Sequence, residues 1–186
     1  MIHVAPPAVI EELTHTALDY VARAVGVPLD FSAETLALLD HYTRSVAPTL
    51  EGNPALADIV APALGAYFGE VVRARFDGFW RVESANQRDW LLCSHIAFLA
   101  FNPIGVAYDA LYGTGEHHGP GSNLRVAPED RALIDARLTS IPPVAEDEYF
   151  LFTTRFEVLE IVVEALCGKM EDEGYGETRY SEADYG

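Results

Sequence analysis

Basic residues are scarce in this chain. Its 186 residues hold 12 lysines and arginines against 29 aspartates and glutamates, a net charge of −17, and Lys169 is the only lysine. A surface of that sign repels nucleic-acid phosphates and anionic lipid headgroups, which argues against direct binding to DNA, RNA or a membrane. A basic protein partner is compatible with it. Cysteine is equally sparse. Cys93 and Cys167 sit in apolar runs ("LLCSHI" and "EALCGK") and form neither a disulfide framework nor a C-x-x-C pair, so both read as buried thiols. Long apolar runs are absent too: residues 96–101 make the longest, far short of the roughly 20 residues a bilayer span needs. Residues 1–7 lack the basic and apolar regions of a signal peptide, and the chain reads as cytoplasmic.

Catalytic signatures are the next absence. No G-x-S-x-G elbow is present, and the glycines of "GTGEHHGPGSN" (residues 113–123) are not followed by the G-K-[ST] of a phosphate loop. Ser94 and His95 are neighbours in an expected strand, so their side chains point to opposite faces. Cys93 and His95 share a face, without a third group to orient them. Glu12 and His15 form an E-x-x-H, but a di-metal bundle needs two such helices. Glu157, Glu160 and Glu164 share a helix face with no histidine in register. No catalytic residue and no cofactor is called for, and the chain points away from an enzyme.

What is present is an apolar pattern of helical period. It predicts a helix over 7–25 stopped at Gly26, and a second over 32–46 opened by Ser32 and ended by Pro48. A third starts at Asn53-Pro54 and runs to about Val72, with a kink or a pair of abutting helices at Pro62. Asp77-Gly78 marks a turn, 79–83 a strand, and 90–101 a strand or two strands. Asn102-Pro103 breaks the run before a short helix over 104–111. Further helices are predicted over 128–140 and 148–166, joined by the rigid Ile141-Pro142-Pro143. Residues 171–186 hold many acids and almost no aliphatic side chain, the composition of a disordered acidic tail. The expected fold is a single helix-rich α+β domain over 1–170 with a small antiparallel sheet, followed by that tail over 171–186.

Gly69 in a helix of large residues costs about 1 kcal/mol relative to alanine and signals close approach by another element, the strand carrying Trp80. Glu70 and Arg73, at i and i+3, read as a solvated ion pair. The stretch "GAYFGEVVRARFDGFWRVE" resembles uncharacterised and immunity-type bacterial families that carry a Y-x-G-E-V-x-R helix followed by G-x-W at a strand start. The matching residues are Tyr67, Gly69, Glu70, Val71 and Arg73, then Gly78 and Trp80, and "FNPIGVAYDAL" is similar to the segment that follows the sheet. The resemblance covers residues 55–112 and implies a non-catalytic protein that binds another protein, as an immunity protein binds its toxin.

Two groups of residues are candidates for function. Glu146, Asp147 and Glu148 would steer a basic partner. Glu116, His117 and His118 are the alternative, the metal site of a metal-dependent enzyme or metal-binding protein, completed by a distant His15, His41 or His95. Otherwise their loop is a mobile surface connection.

Overall fold

The computed structural model describes residues 5–50 and 52–186. Met1–Val4, the start of the stretch read above for a signal peptide, lies outside them. Among the described residues six α-helices and a four-stranded sheet make up an α+β fold, as the periodicities imply.

Helix α1 (Ala8–Val25) ends where Gly26 takes the left-handed φ of 77° and its N–H reaches the Ala22 carbonyl. Helix α2 (Leu36–Leu50) runs two residues past Pro48, the expected stop. Helix α3 (Ala57–Phe76) follows a 3-10 turn at Pro54–Leu56. It passes through Pro62 as one helix, in place of the expected kink or paired helices. Pro62 lies in the second turn, so its missing N–H removes only one bond near a terminus. Together Pro54–Phe76 are long and apolar enough to cross a membrane by composition, yet 78% of the apolar window is buried inside the fold. A helix that is apolar all round belongs in a core: α1 covers one side of α3, and α4 (Pro103–Tyr112) another.

Strands β1 (Gly78–Arg81), β2 (Leu91–Ser94), β3 (Leu99–Phe101) and β4 (Arg125–Val126) form an antiparallel meander in the order β1-β2-β3-β4. Residues 90–101 thus become two strands joined at His95–Phe98. The alternation of period two divides the sheet. Trp80, Leu92, Leu99 and Phe101 enter the main core, while Leu91, Cys93 and Ala100, with Phe79 and Phe98, form a second cluster. Helix α5 (Arg131–Thr139) packs on α6 (Phe152–Asp172).

Helix α6 starts four residues later than its pattern suggests, because its cap comes from elsewhere. Buried Asp40 of α2 accepts from the N–H groups of Phe152 (2.7 Å) and Thr153 (3.2 Å) and from the Thr153 hydroxyl (2.8 Å). Those are the donors a helix start leaves unsatisfied.

Within residues 171–186 two aromatic side chains turn toward the sheet. Tyr185 is 8% exposed and belongs to the second apolar cluster. Ser181 and Asp184 close a capping box on a short 3-10 turn, Glu182–Tyr185. The two aromatic side chains are Tyr180 and Tyr185, which lie on the sheet face of Leu91, Cys93 and Ala100.

Candidate functional site

The Gly69 reading holds in detail. A Cβ on Gly69 would stand 2.3 Å from the Trp80 ring, so only glycine lets the indole lie against the helix. The neighbouring pair is not solvated. Glu70 and Arg73 side chains are 10% and 14% exposed, and two parallel bonds of 2.8 Å join them. Trp80 donates its indole N–H to the same carboxylate at 2.7 Å. Burial of a carboxylate demands such partners. Gly69, Glu70, Arg73 and Trp80 therefore form a helix-to-strand clasp.

The histidine loop is tied to the fold by side-chain bonds. Asp109 is the one acid in the apolar helix α4, and its side chain is 4% exposed. His117, 2% exposed, bonds its Oδ1 through Nε2 at 2.8 Å, while the Ser122 hydroxyl donates to Oδ2 and Arg155 stands 3.4 Å away. The N–H of Gly119 donates to His117 Nδ1 at 3.2 Å, which assigns the ring proton to Nε2. Both nitrogens are thereby occupied, and His117 has no lone pair to offer a metal. His118 faces the other way, onto Asp58 at 2.8 Å, and Arg88 donates to the carbonyls of His118 and Gly119. Tyr108 also donates to Asp58, at 2.6 Å. These bonds, the one from Tyr108 foremost, hold the Asp58 carboxyl below its ordinary range. A Cβ on Gly119 would stand 2.4 Å from the Tyr108 ring, so the glycine packs directly against it.

Glu116 is exposed and takes no part in this network. Among the described residues no three histidine, cysteine, aspartate or glutamate side chains converge as a metal site requires. In this structure His117 and His118 are bound to Asp109 and Asp58, and Glu116 does not join them. An acid inside an otherwise apolar helix, Asp109, was the sequence signal for this bonding.

Cys93 and His95 do not form a thiol–imidazole pair. Burial pushes the Cys93 thiol up to about 12, and β2 ends before His95, whose Nδ1 donates to the Tyr180 carbonyl at 2.7 Å. His95 also lines a cleft of about 780 Å³ together with Pro7, Arg73, Asp77, Trp80 and Arg179. An ion pair joins Asp77 and Arg179 at this cleft.

The Asp109 network continues to the second group of candidates. The Arg155 guanidinium lies over Tyr149 (4.5 Å) and Phe150 (5.2 Å), at the end of the connection between α5 and α6. That connection exposes Glu146, Asp147 and Glu148. Beside them Val144 is 40% and Tyr149 49% exposed. The loop with three acids thus carries an aromatic ring held in place from below.

Fold and sites together describe a helix-rich α+β domain in which Asp40, Glu70 and Asp109 are bound internally, with an acidic, aromatic loop at the surface. Comparison with known protein families, curated proteins and solved structures finds no match.

Proposed function

We propose that this chain is a non-catalytic bacterial protein of the cytoplasm that binds a basic protein, most concretely an immunity-type inhibitor of a toxin. The observation that carries the reading is the α5–α6 connection. It joins three exposed acids, Glu146, Asp147 and Glu148, to two exposed apolar side chains, Val144 and Tyr149. Charge of one sign speeds encounter with a basic surface, and a ring already fixed by Arg155 loses little freedom on burial. The net charge of −17 favours the same partner, and the residues resembling immunity-type families support the concrete form. Two free cysteines suit a reducing compartment.

The test is association with the product of the adjacent gene, followed at graded ionic strength. Combined Glu146→Lys, Asp147→Lys and Glu148→Lys should slow association about tenfold or more at low salt, and less at high salt. Tyr149→Ala should instead speed dissociation. If no protein co-purifies with the chain and the neighbouring product does not bind, the reading fails.

A further inference from the structure

The segment 179–186 sits on the sheet as a ligand sits in a site. Tyr185 inserts between Phe98, whose ring is stacked at 4.9 Å, and Phe79, met edge-on at 5.8 Å. Its hydroxyl donates to the Ser94 carbonyl at 2.6 Å, with the Ala97 carbonyl at 3.0 Å, and accepts from the Leu99 N–H at 3.2 Å. A phenylalanine would fill the same space and leave that N–H without its partner. Tyr180 pairs its N–H with the His95 carbonyl (2.9 Å), receives the His95 Nδ1–H, and meets Phe98 edge-on. Arg81 donates to the Tyr185 carbonyl.

Two further facts separate this segment from the rest of the core. The cluster it completes, with Leu91, Cys93 and Ala100, is distinct from the main core on the opposite sheet face. The connection from α6, residues 173–179, is exposed throughout and holds Gly174 at φ 81°. The segment also brings its own shape. The Ser181–Asp184 box holds it in a turn before any contact with the sheet, and preorganisation of that kind favours binding.

We propose that the outer face of the sheet is a peptide-binding groove selective for a segment of the form Tyr-x-x-x-x-Tyr, filled in cis by residues 179–186 of the same chain. Recognition of the second tyrosine rests on its hydroxyl and its two aromatic neighbours. In cis the tether supplies an effective concentration on the order of millimolar, so an intact chain shields its own groove.

A fluorescein-labelled peptide of residues 177–186 tests this by anisotropy against the full chain and its Tyr185→Ala variant. The variant should bind the peptide at least about tenfold more tightly than the wild type does, because its own segment no longer competes. A peptide with phenylalanine for the second tyrosine should bind about tenfold more weakly. The proposal is overturned if a cooperatively melting Tyr185→Ala chain binds no better than wild type, or if both peptides bind alike. Should Tyr185→Ala not fold, the Tyr185→Phe chain decides by hydrogen exchange. Amides of Tyr180 and Leu99 should then exchange about tenfold faster than in the wild type, through an opening that leaves the main-core amides protected. Exchange of those amides only through global unfolding would overturn it.

Discussion

Replacing Glu70 with alanine removes three bonds at once. Two are the parallel contacts to Arg73 and the third is the acceptor for the Trp80 indole. Breaking a buried ion pair by deleting one partner costs about 3–5 kcal/mol, and an orphaned buried N–H adds about 1–3 kcal/mol. The two overlap, since one carboxylate oxygen serves both Trp80 and Arg73, so about 4 kcal/mol is the working figure. For a chain of this length it corresponds to a melting temperature about 8–16 °C lower. Glu70→Gln keeps an acceptor for the indole but removes the charge, and should cost about half as much. Urea denaturation checks this as a shift of midpoint at constant slope. A cycle with Arg73→Ala then isolates the coupling between the two side chains. A loss below about 1 kcal/mol for Glu70→Ala would match the cost of an exposed pair and refute the clasp.

Gly69→Ala should destabilise the fold by about 1–3 kcal/mol through overpacking on Trp80, where helix propensity alone predicts a gain; a melting curve gives the sign. His117→Ala should lower stability by about 2 kcal/mol by removing one donor from buried Asp109, and a zinc titration by calorimetry should show no stoichiometric site that the substitution abolishes. The Asp58 carboxyl is held below its ordinary 3.8, so its contribution is complete above that value and fades as pH falls through the lowered one. Asp58→Asn should therefore flatten melting temperature against pH in that acid window alone, and an unchanged acid limb would contradict the Tyr108 and His118 bonds.

Much of the framework is legible in single residues. Gly26 stops α1, Asn102 caps α4 ahead of Pro103, and Gly69 announces the Trp80 contact, because each is a local backbone or steric requirement. The failures share a cause. Glu70 and Arg73 have the same spacing whether solvated or buried, and the indole that decides the matter is ten residues on. His117 looked like a ligand until Asp109 and the Gly119 N–H took both nitrogens. Strand β4 has two residues, too few for any period to show. Tyr180 and Tyr185 were outvoted by the acids around them, although burial is decided by individual side chains and not by their average.

The cap that Asp40 gives to α6 spans 112 positions of sequence. A helix start of this kind has no local solution, since Leu151 offers its amides no side-chain acceptor. The first turn of α6 therefore has its amides capped only where α2 lies beside it, so one helix completes the end of another. Slow closure of long-range contacts is what sets folding rates. Asp40→Ala should leave early helix formation intact and mainly delay the step in which Phe152 seats in the core.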